Sequence, residues 1–274
     1  MVSQEQRRRQ LAREKFLRQQ QRRTSARRKA RMRNAAIASV LGVILIGSVA
    51  LYTTGVVLKD DDSKTNAGAE VTPSASAPSK APDPCDKPAD GKVKTQTWEK
   101  EPAMTIDKSA KYTMKLETTC GDIDIALKAE AAPHTVNSFD FLAGKGFFDH
   151  TKCHRLTTNG IFVLQCGDPT GQGNGGPGYN IPDENLKDKS LKDNMYPAGT
   201  VAMANTGQPN SGGSQFFLVY QNSPLPPSYT PFGTISDEGM TVLKKIAAAG
   251  ESTGAGDGAP NATVVIDKAT VGKS

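Results

Sequence analysis

Residues 101–274 predict a mainly β barrel capped by two α-helices, and three features carry that expectation. Short runs alternate apolar and polar residues with a period of two, as half-buried strands do. Turn-forming glycines, prolines and asparagines separate those runs. Only two segments carry apolar residues at helical spacing, which does not suit a parallel sheet built from strand–helix–strand units.

The first strand is YTMKLETT, in which Tyr112, Met114 and Leu116 share one face. A Cys-Gly-Asp turn leads to IDIAL, with Ile123, Ile125 and Leu127 on one face, so the pair reads as a hairpin. Pro133 opens a helix in which Val136, Phe139 and Leu142 recur at helical spacing, and Gly144 and Gly146 end it. CHRL and IFVLQCGD read as two short strands, followed by a glycine-rich loop and then by GTVAMAN and SQFFLVY, both strand-like. EGMTVLKKIAAAG predicts the second helix, with Met240, Leu243 and Ile246 inward, and ATVVIDKATV predicts the last strand.

What precedes the barrel differs in kind. The formal charge of +6 averages two opposite regions. Residues 1–33 hold 13 of the 34 basic residues against Glu5 and Glu14, a net +11; the rest of the chain has 21 basic and 26 acidic residues, a net −5. The basic balance therefore belongs to the leader and says nothing for nucleic-acid binding by the folded domain. Residues 34–58 carry no charge and are rich in Ile, Leu, Val and Ala, and about 20 apolar residues suffice to cross a hydrocarbon core of ~30 Å. With the basic flank before this run and Lys59-Asp60-Asp61-Asp62 after it, the positive-inside rule predicts a single-pass anchor. The N-terminus is then cytoplasmic and the domain extracytoplasmic. The long leader and the lack of a clean A-x-A site speak against a cleaved signal peptide. Residues 1–33 read as a tail on the anionic inner leaflet, with no DNA-binding motif or aromatic platform beside the charge. Residues 59–100 are rich in Pro, Ser, Ala, Lys and Asp and predict a flexible linker, with Trp98 and Met104 marking where its end packs on the domain.

Two apparent motifs fail on context. Gly171-Gln172-Gly173-Asn174-Gly175-Gly176 satisfies G-x-G-x-x-G, but Pro177 and Pro182 follow and no helix opens to receive a phosphate. Ser214 lies in GGSQFF rather than in a nucleophile elbow, and His134 and His150 occupy positions usual for solvated histidines. More informative are polar side chains set among apolar strand residues: Arg155, Gln165, Asn205 and Gln215, which need partners where they are buried.

The run FFDHTKCHRL, LQCGDPTGQGNGG, IPDEN, GTVAMAN, GGSQFFLVY and PFGTI resembles the cyclophilin family, in order and across residues 111–272. The leader and anchor resemble its membrane-tethered members in high-GC Gram-positive bacteria. The resemblance implies an eight-stranded antiparallel closed barrel, peptidyl-prolyl cis/trans isomerase activity on exported or cell-envelope proteins, proline-containing polypeptides as partners, and neither cofactor nor metal. By it, Arg155 matches the catalytic arginine. Gln165, Asn205 and Gln215 match substrate-binding polar residues, flanked by Ala204 and Thr206. Phe162, Val163, Phe217 and Leu225 match the proline pocket. Tyr229 stands where a pocket histidine is usual, Thr206 where alanine is, and Pro224 where a tryptophan supports cyclosporin binding, so weakened cyclosporin affinity is implied. Two extra residues separate Arg155 from Gln165. A non-catalytic proline-binding module that keeps the pocket is the alternative.

The chemistry suits these residue types. Xaa–Pro bonds rotate over tens to hundreds of seconds because rotation breaks amide resonance. In the twisted amide the prolyl nitrogen regains its lone pair, and a fixed guanidinium can donate to it. The four cysteines, Cys85, Cys120, Cys153 and Cys166, lie beyond the predicted anchor, where an even count suggests two disulfides. The spacings suit zinc poorly. Cys153 and Cys166 sit at opposing positions of a predicted hairpin, which leaves Cys85 with Cys120.

Overall fold

A computed structural model of the chain describes residues 82–273. The basic leader, the apolar run and the linker up to residue 81 lie outside the described residues, and with them the tail and anchor expected there. Among the described residues no helix is long and apolar enough to cross a membrane.

The first hairpin forms as the alternation requires. β1 (Tyr112–Thr118) pairs with β2 (Gly121–Leu127), and Met114, Leu116, Ile123 and Ile125 are all buried. Gly121 turns the chain at φ +125°, a conformation that side-chain-bearing residues rarely adopt. α1 (Pro133–Gly144) starts with a proline at a position whose N–H would have no helical partner. Its next two N–H groups, from His134 and Thr135, donate to the Glu184 carboxylate at 3.0 and 2.9 Å. α2 (Asp237–Ala248) is capped by Ser236, which accepts from Gly239 N at 3.0 Å, and buries Leu243 and Ile246; Met240 is only partly buried.

The remaining strands are β3 (Thr151–Lys152), β4 (Arg155–Thr157), β5 (Val163–Cys166), β6 (Met195–Tyr196), β7 (Thr200–Met203), β8 (Phe216–Val219), β9 (Ser223–Pro224), β10 (Pro231–Ile235), β11 (Asp257–Gly258) and β12 (Val265–Lys273). Ten strands form one curled antiparallel sheet in the order β11-β4-β5-β8-β7-β10-β2-β1-β12-β3, and β6 pairs with β9 apart from it. The eight-stranded closed barrel is thus corrected to a ten-stranded sheet whose ladder stays open between β3 and β11. One cause is a break at Cys153-His154, where the strand begun by β3 leaves β12 and continues as β4 against β5. At that break Cys153 N donates to Val264 O and His154 N to Gln165 O, both at 3.0 Å. The other cause is β11, two residues added to the outer edge of β4.

Strand alternation divides the interior in two. Phe216 and Leu218 of β8, Leu164 of β5 and Val201 of β7 enter the main core, where Phe139 of α1 lies 4.6 Å from Phe232 and 5.5 Å from Phe216 between ring centres. Their neighbours Phe217, Val219, Val163 and Ala202 form a second cluster on the opposite face, together with Tyr196.

Residues 82–100 are not a free tether where they are described. Cys85 is bonded to Cys120, Asp86 N donates to Thr119 O at 2.8 Å, and Ala89 N donates to Asp267 Oδ1 at 3.0 Å. The Trp98 ring packs edge-on against Phe141 at 5.1 Å, and the Trp98 backbone N–H donates to Pro177 O at 2.8 Å. Backbone hydrogen bonds and a crosslink hold this segment, which its polar composition conceals. Met104 does not pack as expected and is exposed.

Candidate active site

The second cluster floors a site built from one row of side chains. Arg155 on β4 stands opposite Gln165 on β5, Gln165 opposite Phe217 on β8, and Phe217 opposite Ala202 on β7. Since side chains alternate, residues two apart on each strand share that face, which adds Val163, Ile161, Gln215 and Ala204.

A cavity of about 110 Å³ opens there, lined by Arg155, Ile161, Val163, Gln165, Ala204, Asn205, Phe217, Leu225 and Tyr229. It is well below the ~300 Å³ of the smallest drug-sized sites and suits a small ring. The Tyr229 ring stands edge-on to Phe217 at 5.4 Å. Tyr229 is held from beneath by fully buried Tyr196, whose hydroxyl donates to Tyr229 O at 2.7 Å and accepts from Tyr229 N at 3.2 Å. Burial pushes the Tyr196 phenol up to about 12, so it stays neutral in this role.

A second cavity of about 520 Å³ adjoins the first and shares Gln165, Ala204 and Asn205 with it. Gln215, Thr206, the loop from Gly173 to Asn180, and Ser211, Gly213 and Ser214 complete it. That glycine-rich loop wraps the buried Asp168 carboxylate, which accepts from the backbone N–H of Thr170, Gln172, Gly173 and Asn174. The chain's own carboxylate thus fills the place that a phosphate-binding reading would have needed empty. Ser214 is buried and donates to Gly167 O at 2.7 Å, so it is no exposed nucleophile.

The polar side chains are joined end to end. Arg155 Nη1 donates to Gln165 Oε1 at 3.2 Å, Gln165 Nε2 to Gln215 Oε1 at 2.9 Å, and Gln215 Nε2 to Gly175 O at 2.9 Å. At the other end Arg155 Nε and Nη2 each donate to one Asp257 oxygen at 2.7 Å. The Asp257 hydrogen bonds raise the already high arginine pKa, and Arg155 holds Asp257 below the usual carboxylate range. The Asn205 side chain is engaged by its own surroundings, donating to Ser228 O at 2.7 Å and accepting from Gly207 N at 3.0 Å.

Arg155, Val163, Gln165, Ala204, Asn205, Phe217, Leu225 and Tyr229 therefore meet at the small cavity, and Gln215 and Thr206 at its neighbour. Phe162 lines neither. It packs on Tyr220 at 5.9 Å because it alternates away from Val163, and Ile161 takes the place expected for it. Ile161, Tyr196 and Asp257 escaped the sequence reading. Counting back from Gln165 in two steps of two, through Val163, would have found the first. The cysteines pair as Cys85–Cys120 and Cys153–Cys166, the latter bracketing Arg155 and Gln165.

Residues 113–271, more than half of the chain, match the family model described as Cyclophilin type peptidyl-prolyl cis-trans isomerase/CLD. A probable peptidyl-prolyl cis-trans isomerase B of Mycobacterium leprae is 45% identical over 196 residues, covering 69% of this chain and 62% of that protein. Its namesake in Mycobacterium tuberculosis is 44% identical over 198 residues, covering 69% and 60%. The chain thus spans about three fifths of the length of these relatives. The crystal structure of a Cryptosporidium parvum cyclophilin type peptidyl-prolyl cis-trans isomerase, 26% identical, covers 60% of this chain and 99% of its own, with a TM-score of 0.48. Because the family's model runs across the whole sheet, from β1 into β12, the chain belongs to the cyclophilin-type peptidyl-prolyl cis-trans isomerase family.

Proposed function

We propose that this chain accelerates cis/trans rotation of Xaa–Pro peptide bonds in exported or cell-envelope polypeptides. One observation carries the reading: a guanidinium, Arg155, at a small cavity that also presents Val163, Phe217 and Leu225, in register with Gln165 and Phe217. The proline ring enters beside Phe217, Val163, Ile161 and Leu225. Gln165 and the Asn205 backbone hold the flanking peptide. As the amide twists, the prolyl nitrogen becomes a hydrogen-bond acceptor and Arg155 donates to it, an interaction absent from either planar ground state. Millisecond turnover requires about four to five decades of acceleration, or roughly 5.5–7 kcal/mol of preference for the twisted amide. Proton transfer is not required, and Arg155 stays charged throughout the neutral range.

The apolar run at 34–58 with its basic flank supports a single-pass anchor that leaves this domain outside the membrane, as in the tethered members of actinobacterial type. The basic tail then lies on the anionic inner leaflet. Two disulfides suit the oxidising side. NMR exchange spectroscopy on an Ala–Pro peptide with the full-length chain tests the catalytic reading. Cis/trans exchange accelerated by catalytic amounts of protein is expected. Peptide binding without acceleration would make the chain a proline-binding module instead.

A further inference from the structure

Arg155 lies on the strand next to the sheet's edge, a third exposed, on a long side chain with many rotamers. Such a group is a poor catalyst unless something fixes its plane. Asp257 does so from outside the cavity. Its two oxygens take Nε and Nη2 at 2.7 Å each while Gln165 takes Nη1, so three bonds to two side chains set the plane. Asp257 makes no part of either cavity wall.

The device that brings this carboxylate in is built from two loops. β11 pairs Asp257 with Thr157 and Gly258 with Leu156, directly outside the catalytic strand. Thr158 N donates to Gly256 O at 2.9 Å, and Gly256, at φ +91°, lies against Asn159 where a side chain would collide. The Glu251 carboxylate draws in the rest of the loop, accepting from Thr253 N at 2.6 Å and Gly256 N at 2.8 Å. Thr158 and Asn159 belong to the lengthened segment between Arg155 and Gln165. The extra residues and the carboxylate are therefore one construction.

We propose that Asp257 is a positioning residue for Arg155, delivered by the docking of residues 251–258 onto residues 156–159. An exposed ion pair of this kind contributes little to stability, so its effect falls on the reaction rather than on the fold. This inference rests on the isomerase reading above.

The test uses the full-length chain and the variants Asp257→Ala, Asp257→Asn and Arg155→Ala, with kcat and KM for an Ala–Pro peptide, the melting temperature, and the Arg155 Nε–H NMR resonance. Asp257→Ala is expected to lower kcat about tenfold, since Gln165 still holds one end of the guanidinium and the loss stays below the ~100-fold that a 1 Å displacement of a catalytic group can cost, with KM and melting temperature little changed. Asp257→Asn, which keeps one acceptor oxygen, is expected to fall between it and the wild type. The Nε–H resonance is expected to be protected from solvent exchange in the wild type and unprotected in Asp257→Ala. On an Arg155→Ala background, Asp257→Ala should cost nothing further. Unchanged or raised kcat in Asp257→Ala, or a loss matched by a fall in melting temperature, would overturn the proposal. A wild-type chain that fails to accelerate exchange would instead overturn the isomerase reading, and this inference with it.

Discussion

Gln165 donates to Gln215 at 2.9 Å, and this one amide–amide bond ties the wall of the small cavity to the neighbouring cavity and its glycine-rich loop. Gln165 has its other end on Arg155, so its orientation is determined from both sides. Removing Gln215 frees that orientation without touching the proline-sized cavity. Gln215→Ala should lower kcat/KM about fivefold, the worth of roughly one hydrogen bond, and NMR exchange rates on an Ala–Pro peptide will measure it.

Trp98 braces the same loop from behind. Its backbone carbonyl lies where a side chain on Gly178 would have to go and its backbone N–H donates to Pro177 O, while its ring, packed on Phe141 and Phe147, fixes that stretch of main chain in place. Trp98→Ala should destabilise the domain by about 2 kcal/mol, less than for a fully buried aromatic. It should also raise KM more than it lowers kcat, since the wall moves and Arg155 does not. Urea titration and peptide kinetics separate the two effects.

The two disulfides should differ in what they protect. Chain-entropy arguments give about 4 kcal/mol for Cys85–Cys120, with a sequence separation of 35, and about 3 kcal/mol for Cys153–Cys166, with a separation of 13. Only the second flanks Arg155 and Gln165. Replacing Cys153 and Cys166 by serine should lower both melting temperature and kcat/KM. The same change at Cys85 and Cys120 should lower melting temperature and leave kcat/KM nearly as it was.

Burial pushes the Asp168 carboxyl up, but the backbone N–H groups around it outweigh burial and hold it below its ordinary value. A carboxyl whose pKa is depressed on folding contributes stability in full above its unfolded value, about 4, and loses it as pH falls through the folded value. Stability from urea midpoints should therefore drop below about pH 4, and Asp168→Asn should flatten that drop while costing roughly 2 kcal/mol at neutral pH. His154 acts in the same direction nearer neutrality. Burial holds its pKa down, Asp168 opposing and Arg155 reinforcing, so some stability is lost as pH falls below about 6.5.

The hairpin β1–β2 and the apolar faces of both helices could be read directly, because a period of 2 or 3.6 is local information. Arg155 and Gln165 stand out as polar residues in apolar strands, the family motifs supply their roles and that of Phe217, and the meeting of all three in one row follows from antiparallel register. Phe162 misled because it was placed by its motif neighbours, whereas the face a residue takes is set by counting along the strand from Gln165. Glu184 capping α1 and Asp257 gripping Arg155 could not be read, since their partners lie 49 to 102 residues away and polar loop residues carry no periodicity. The order of residues 82–100 was hidden for a similar reason. Main-chain bonds and the Cys85–Cys120 crosslink hold them, not apolar composition.

In the proposed mechanism Arg155 acts on the twisted amide and not on the bound peptide. Peptide affinity and cis/trans exchange rate, measured side by side for the full-length wild type and Arg155→Ala, address it most directly. A loss of at least about a hundredfold in kcat with affinity changed only a few-fold is expected, the pattern of an interaction made in the transition state alone. Affinity and rate falling together, or a rate that survives Arg155→Ala, would contradict it.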